Sequence, residues 1–504
     1  MALAQGDGGA GRRGWQRWGW PGALAVGIGF AGCGAGCGND ATVVTPIVDV
    51  PIDDTDATAS PLDEIALTVA HARSDRFLVS QTFARTDTLE VPGVPFGDDL
   101  VIHMSGFVGA SNIAYGRTCT IAVSPSGPPP TPHLFFSRSV KFASLDIAPK
   151  PRIGGLGISY LGTALFVGGV DGTGSGNDQV TGVERFDPLT GMLTTLGSVT
   201  PRDRAVHALV GTSPPRVAVI GGTTDGSGAK FIEVLDDRRI DRLDFTELAR
   251  VGLTATALTD GRVIVVGGIA LDQPGRPVSG EIDEIDENAE NGASLQIRKL
   301  NAMLAHPRSG HSATRLGEDV GAPVLIAGGV DAAGVAIDVV ELFKPLSEEL
   351  ANPVTFSHKM LYPRHDHIAT LMPDGSVLFI GGVDSLGQPV RRLELFSVDS
   401  DFVDVGPLPD SAGVVDFTAT PLPDGRILIT GGRLAPGSPP LNTAYIARLD
   451  PLDGSVDVVA TDHLAIARAN HQAVALCDGT IFINGGTPGQ FPAERYNPPP
   501  AGRR

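Results

Sequence analysis

The stretch His367-Ile-Ala-Thr-Leu-Met-Pro-Asp-Gly-Ser-Val-Leu-Phe-Ile-Gly-Gly-Val-Asp384 decides the fold. Its Asp374-Gly375 pair separates two apolar runs, and the double glycine Gly381-Gly382 ends the second run. Asp-Gly suits a tight hairpin because a type I′ turn needs positive φ at both central residues. The stretch therefore predicts two antiparallel strands followed by a close backbone bend.

This pattern recurs along the chain. Asp-Gly turns precede three further double glycines, and the successive double glycines are 53, 46, 61, 53, 50 and 54 residues apart. They lie at Gly168-Gly169, Gly221-Gly222, Gly267-Gly268, Gly328-Gly329, Gly381-Gly382, Gly431-Gly432 and Gly485-Gly486. A period near fifty residues with four short strands per unit is typical of a β-propeller, in which neighbouring sheets bury each other's faces.

Two further elements accompany each hairpin. A strand of the type Val340-Glu-Leu-Phe-Lys-Pro345 follows each double glycine, and six of the seven copies carry an acid at the second position. An Arg-x-x-His motif precedes the hairpin in four copies, which are Arg204/His207, Arg308/His311, Arg364/His367 and Arg468/His471. Three elements in a fixed order predict seven equivalent units.

With these motifs, residues 135 to 498 resemble the kelch family of β-propellers. The resemblance implies an all-β, seven-bladed kelch-type propeller, which we assign to residues 134–498. One family feature is missing, since all three tryptophans (Trp15, Trp18 and Trp20) lie near the N-terminus. The last copy lacks a fourth strand, and residues 139–145 have no partner of their own. We therefore expect this segment to complete the last blade and close the ring.

The overall composition narrows the classes of function. The chain has 504 residues, a formal net charge of −19, 65 glycines and 39 prolines. The glycine and proline content suits a turn-rich β protein. The negative field repels phosphate backbones, so we do not expect nucleic-acid binding.

The N-terminus, residues 1–37, is typical of an export signal of the lipoprotein type. Basic residues precede a short apolar run, 23–30, that is too short to span a bilayer. Phe30-Ala-Gly-Cys33 then resembles a bacterial lipoprotein box, with Cys33 as the acylated residue and Cys37 as the weaker alternative. A plain cleaved signal peptide is the other interpretation. We expect a lipid-anchored protein of the cell envelope, at the outer membrane or cell surface, with no other membrane contact.

The chain is divided by composition. Residues 38–61 hold five aspartates and no basic residue, which predicts a disordered acidic tether. Residues 62–123 contain four strand-like runs and predict a small β-sandwich-like domain, followed by a Pro-rich linker at 124–133 and a tail at 499–504. Cys119 and Cys477 could pair, but we favour two buried thiols, since free cysteine behaves as a small hydrophobe.

A candidate binding site follows from the repeat. Arg204, Arg308, Arg364 and Arg468 would cluster at one mouth of the ring, where several guanidinium groups could bind a carboxylate or sulfate. Some kelch proteins grip acidic peptides with similarly placed arginines, which is analogy. The structural alternative is that these arginines order the start of each blade and pair with the repeated acid, since motif positions present in every blade usually serve the fold.

Evidence for catalysis is weak. His365 and His367 are the best local pair of metal ligands, and the resemblance also extends to galactose-oxidase-like enzymes, which bind copper with tyrosines and histidines. We therefore expect a non-enzymatic, monomeric binding protein without a cofactor, whose loop face contacts a protein, peptide or glycan. The alternative is a propeller enzyme acting on carbohydrate, either an oxidase or a sugar isomerase or lyase.

Overall fold

A computed structural model of the chain describes residues 41–51, 61–72, 77–84, 87–172, 179–224, 226–245, 248–288, 294–345, 354–489 and 491–498. Every regular element among these residues is a β-strand, and none is a helix. The chain separates into two compact units, one built mainly from residues before 140 and one built mainly from residues after 146.

The N-terminal unit is a six-stranded sheet with two additional strand pairs. The sheet order is β10-β7-β6-β3-β4, with β8 also paired to β6, while β1 pairs with β5 and β2 pairs in parallel with β9. Its core includes Val44, Leu67, Leu100 and Phe136. The strands are β1 Ala41–Val44, β2 Ile47–Asp49, β3 Glu64–His71, β4 Phe77–Ala84, β5 Val91–Pro95, β6 Gly97–Val108, β7 Ser111–Arg117, β8 Ile121–Val123, β9 His133–Phe135 and β10 Ser137–Arg138.

Part of the predicted acidic tether belongs to this unit. Residues 41–49 form β1 and β2, so the prediction of disorder over 38–61 is wrong for them. The physical reason is local composition, because this stretch is rich in β-branched residues, and Val44 is fully buried. Residues 38–40 and 52–60 of the predicted tether lie outside the described residues.

The second unit contains seven four-stranded antiparallel sheets within the described residues, each in sequential strand order except the last. The first sheet is β12 Leu156–Tyr160, β13 Thr163–Val167, β14 Gly182–Asp187 and β15 Met192–Ser198; the second is β16 Val206–Val210, β17 Arg216–Ile220, β20 Phe231–Leu235 and β21 Ile240–Asp244; and the third is β23 Thr254–Ala257, β24 Val263–Val266, β26 Glu281–Asn288 and β27 Ser294–Met303. The fourth sheet is β28 Ser312–Arg315, β29 Val324–Ala327, β30 Val339–Phe343 and β31 Val354–Lys359, and the fifth is β32 Ile368–Leu371, β33 Val377–Ile380, β34 Arg392–Ser397 and β35 Asp401–Pro407. The sixth sheet is β36 Thr418–Pro421, β37 Ile427–Thr430, β38 Ala444–Leu449 and β39 Val456–Ala460, and the seventh is β40 His471–Ala475, β41 Ile481–Gly485, β42 Glu494–Asn497 and β11 Lys141–Ser144. Two short hairpins complete it, β18 Thr223–Thr224 with β19 Ser227–Gly228, and β22 Arg250–Val251 with β25 Ile269–Ala270.

The predicted hairpin is the inner pair of the fifth sheet. β32 pairs with β33 across Asp374-Gly375, and all four residues of β33 are buried. A strand that is buried on both faces reads as a continuous apolar run, which is what Val377-Leu-Phe-Ile380 shows. Its two faces pack against the neighbouring sheets, because Leu378 and Ile380 lie in one apolar cluster and Val377 and Phe379 in another.

The seven sheets contact one another in chain order, and the last contacts the first. The first strand of each sheet lies against the first strand of the next, and β40 lies against β12. The double glycines add hydrogen bonds between sheets. In one example the Gly486 N–H of the seventh sheet donates to the Arg152 carbonyl of the first, at 2.7 Å. This cyclic contact between small four-stranded sheets is a propeller-like arrangement.

The N-terminal side of the chain completes the last sheet, as predicted. β11 pairs with the edge of β42. The Val140 N–H donates to the Asn497 carbonyl at 2.8 Å, and the rings of Phe142 and Tyr496 lie 4.8 Å apart. The seventh sheet is therefore assembled from two segments more than 300 residues apart in sequence.

Two further findings concern cysteines and membranes. Cys119 and Cys477 are both disulfide-bonded, so the preference for two free thiols is wrong. Burial alone did not distinguish the two states, because a buried cystine and a buried thiol occupy similar apolar surroundings. Among the described residues, no helix is long and apolar enough to span a bilayer.

Candidate functional site

The candidate site lies at one end of the sheets, which we call the loop end. It contains the segments that lead into each first strand and the segments that follow each double glycine. These two kinds of segment are adjacent in space, as the bridges His365–Val383 and Ser309–Val330 show. The loop end therefore gathers both motifs that the sequence singled out.

An arginine in six of the seven sheets is buried against an acid of the third strand. In the fifth sheet, Arg364 is fully buried and its Nη2 donates to Glu394 at 2.6 Å. The six pairs are Arg152–Glu184, Arg202–Glu233, Arg250–Asp283, Arg308–Glu341, Arg364–Glu394 and Arg468–Glu494.

Each pair is embedded in hydrogen bonds. Arg364 also donates from Nη1 to the Gly381 carbonyl at 3.1 Å and from Nε to the Tyr362 carbonyl at 3.0 Å. Glu394 accepts from the backbone N–H groups of Leu361 and Tyr362. Burial raises the pKa of Glu394 against the opposing pull of Arg364, and burial lowers the pKa of Arg364. The pair is a local crosslink whose donors and acceptors are mostly occupied.

The burial of these arginines contradicts the prediction that they bind a carboxylate or sulfate ligand. Arg308, Arg364 and Arg468 are at most 1% exposed and are paired with acids of their own sheets, so they offer no surface to a ligand. They match the structural alternative. The sixth sheet supports the same interpretation, because Val414 stands in the arginine's place and Tyr445 in the acid's place.

Arg204 is not equivalent to the other three arginines. Within the second sheet the buried arginine is Arg202, and Arg204 lies two residues further on with an exposed side chain. The spacing to His207 imitated the motif by coincidence, since the position equivalent to His311 is Ala205. A better signal was present: a Pro-Arg dipeptide starts four of the sheets, and it would have identified Arg152 and Arg202. Arg250 lacks that proline and had no such signal.

Arg204 instead belongs to a set of seven residues in the left-handed region, one in each sheet. Every one lies one or two residues before the first strand of its sheet and has φ between 52° and 67°. Backbone hydrogen bonds join neighbours in the set, as between the Asp366 N–H and the Gly310 carbonyl at 2.9 Å. The seven are Gly154, Arg204, Gly252, Gly310, Asp366, Asp416 and Asn470. This conformation favours glycine, asparagine and aspartate, so arginine is the costly exception.

In five of the seven sheets, the residue after the left-handed position packs on the first glycine of the preceding sheet. A Cβ on Gly328 would lie 2.6 Å from the His367 ring, which explains why glycine is required there. The ring Nε2 of His367 is hydrogen-bonded to the Ser312 hydroxyl at 2.9 Å. Burial lowers the pKa of His367 and of His471 to about 3, and that of His311 well below its usual value. These histidines are neutral packing groups.

The suggested metal pair is not supported by the surroundings of its members. His365 is partly exposed and bonded to Asp366 at 2.8 Å, whereas His367 is buried and bonded to Ser312. Among the described residues, no group of three or more histidine, cysteine or acidic side chains could hold a metal ion. The proposed lipidation residue, Cys33, lies outside the described residues.

One junction at the loop end contains a cleft. It lies between the first and second sheets, at the position where other junctions hold a ring or a leucine. Its lining includes Gly155, Gly168, Gly169, Thr200 and Ala205, and the space that the centre of a water molecule can occupy is about 10 Å³, enough for roughly one water. The sequence-based analysis missed this cleft because it followed the residues that repeat.

The chain is similar to a number of solved structures. One of them, named "Structure of YjhT", has a TM-score of 0.45 and 15% sequence identity to this chain, and the match covers 62% of this chain and 99% of that one. No protein-family model matches the chain, and no curated protein matches it. The all-β architecture of small four-stranded sheets, with a propeller-like arrangement, therefore stands on the chain's own geometry.

Proposed function

We propose that this chain is an exported binding protein built on a seven-bladed kelch-type propeller, anchored through Cys33 and using its loop end to contact a protein, peptide or glycan. The seven sheets are its blades, and β11 closes the ring. The disulfide-bonded state of Cys119 and Cys477 supports export, because stable disulfides are typical of oxidising compartments.

The observation that carries the binding role is where the sheets differ. The buried arginine–acid pair repeats in six sheets, so it serves the fold. The left-handed positions vary at the loop end, where glycine, arginine, aspartate and asparagine occur, and the side chains of Arg204, Asp366 and Asn470 are exposed. Surface variation on a repeated scaffold is the usual basis of recognition in repeat proteins.

Export and anchoring are tested on the intact gene product. Cells grown with radiolabelled palmitate should yield a labelled, membrane-associated protein. Cys33→Ala should abolish the label, and Cys37→Ala should keep it. A label that persists in Cys33→Ala and disappears in Cys37→Ala would move the anchor to Cys37. A mature protein without label in any form would contradict lipidation.

The binding role is tested with a matched pair of surface substitutions. Leu386 is 83% exposed in the segment after the fifth double glycine, at the loop end, whereas Leu452 is 94% exposed in a turn at the opposite end. Glycan and peptide arrays probed with the mature protein should identify a ligand. Leu386→Asp should then weaken binding about tenfold, which corresponds to about 1.4 kcal/mol, while Leu452→Asp leaves it unchanged.

If Leu452→Asp weakened binding and Leu386→Asp did not, the binding surface would lie at the opposite end.

Metal analysis of the same preparation checks the enzymatic alternative. Stoichiometric copper, together with oxidase activity lost in His365→Ala, would contradict a purely binding role.

A further inference from the structure

The junction between the first and second sheets lacks a hydrogen bond that the other six junctions have. Elsewhere the second glycine of one sheet donates its N–H to the carbonyl at the start of the next sheet, at 2.7–3.0 Å. At this junction the corresponding groups are the Gly169 N–H and the Arg202 carbonyl, and neither has a partner among the described residues. A backbone donor and a backbone acceptor are therefore left to bind something else.

Two small residues line this junction. Gly155 and Ala205 occupy positions that hold histidine, phenylalanine or leucine in the other five sheets. A Cβ on Gly168 would lie 4.0 Å from the Arg202 carbonyl oxygen, compared with 2.1–2.7 Å for its equivalents at the other junctions. The two sheets are thus further apart here, and the gap is the cleft described above.

Arg204 directly precedes Ala205 of the cleft lining. Its side chain is exposed and makes no ion pair or hydrogen bond with a described residue. Its φ of 53° is a conformation in which the equivalent residues are glycine, aspartate or asparagine. An arginine held in a costly conformation beside a cleft is a candidate for function rather than for folding.

We propose that this cleft binds a carboxylate group, with one oxygen accepting from the Gly169 N–H and the other from the Arg204 guanidinium. The inference rests on the proposed binding role and names its ligand chemistry. A carboxylate has two acceptor oxygens, one for the backbone N–H and one for the guanidinium group. The exposed Asp203 and the net charge of −19 disfavour a doubly charged phosphate in the same place.

The test uses two variants that should impair binding without harming the fold. Ala205→His introduces the residue found at three other junctions and should close the cleft. Arg204→Asn removes the guanidinium and introduces the residue of the equivalent position in the seventh sheet. Asn470→Gly, at that equivalent position, is the matched control, because it changes an exposed side chain in the same backbone conformation at a different junction.

The probes are acetate and D-glucuronate, with D-glucose as the neutral counterpart of the second, titrated into the mature full chain and followed by ligand-observed NMR. Both carboxylates should bind and compete with each other, and glucose should not bind. Ala205→His and Arg204→Asn should each weaken binding at least about tenfold. Their thermal midpoints should equal or exceed that of the unsubstituted protein, which a merely structural role would not produce.

Several results would overturn the proposal: no binding of either carboxylate, equal binding of glucose, or unchanged affinity in Arg204→Asn. If Ala205→His fails to fold, Arg204→Asn alone decides. The proposed binding function is tested separately from the carboxylate site, because Leu386→Asp tests loop-end binding of the array ligand whether or not a carboxylate occupies the cleft.

Discussion

At the scale of single residues, the buried arginine–acid pair explains both the repeat and its exception. A lone charge left in the same place would be costly, whereas replacing both charges by apolar residues is often tolerated. The sixth sheet carries Val414 and Tyr445 in these places, so both charges are absent together. The acid was visible in the sequence as a repeated position, but its partner was visible in only three sheets, because Arg-x-x-His also selected Arg204 in place of Arg202.

The sixth sheet suggests a direct experiment on the fifth. Arg364→Val alone should lower the free energy of unfolding by about 3–5 kcal/mol, because Glu394 would remain as an unpaired buried charge. The double variant Arg364→Val/Glu394→Tyr reproduces the residues of the sixth sheet and should recover most of that loss. Urea denaturation measures both. A double variant no more stable than the single one would contradict the pairing argument.

Replacing Arg204 should have the opposite effect on the free energy of unfolding. Because an arginine with positive φ is strained, Arg204→Asn should raise the free energy of unfolding by about 1 kcal/mol. Denaturant unfolding of the two proteins measures the difference, with Asn470→Gly as the comparison at an equivalent position. A clear loss of stability would show that the Arg204 side chain has a structural role.

At the scale of elements, the hairpins were predictable and the junctions between them were not. Asp-Gly turns, apolar runs and double glycines are local signals, so the strands around Asp374-Gly375 followed from the sequence. The cleft depends on which residues face each other across two sheets, and sequence order does not specify that. The strands β1 and β2 were missed for a related reason, since their apolar residues lie within an acidic composition.

The histidines at the junctions make stability depend on pH. The pKa of His367 is about 3 in the folded protein, and about 6.5 is its ordinary unfolded value. The unfolded state therefore binds the proton more readily, so this stability is present above pH of about 6.5 and is lost as the pH falls toward 3. Between those limits each such histidine should contribute about 1.4 kcal/mol per pH unit.

Replacing one histidine isolates this effect. His367→Phe introduces the residue that the sixth sheet has at the equivalent position, Phe417, and keeps a ring against Gly328. The slope of unfolding free energy against pH, measured between pH 6 and pH 4 by urea denaturation, should fall by about 1.4 kcal/mol per unit. An unchanged slope would show that His367 does not titrate with a lowered pKa in the folded state.

At the scale of the whole molecule, the account depends on a cyclic set of sheets whose last member is completed from the other side of the chain. The number of double glycines anticipated the number of four-stranded sheets in the described residues, because each hairpin carries its own signal. The strand partner of β42 followed from counting strands in the last copy. The contact surface and the ligand could not be predicted, because repeated residues indicate the fold but do not identify the residues of a binding site.

Hydrogen–deuterium exchange across β42 tests this closure most directly, in the intact chain and in Phe142→Pro. Proline removes the N–H that donates to Asp462 and the ring that packs on Tyr496. The account predicts that protection of Glu494–Asn497 in Phe142→Pro falls at least about tenfold, which corresponds to about 1.4 kcal/mol of opening free energy. The protection of β29 in the fourth sheet should fall less than this. Unchanged protection of β42 would contradict a ring closed by β11.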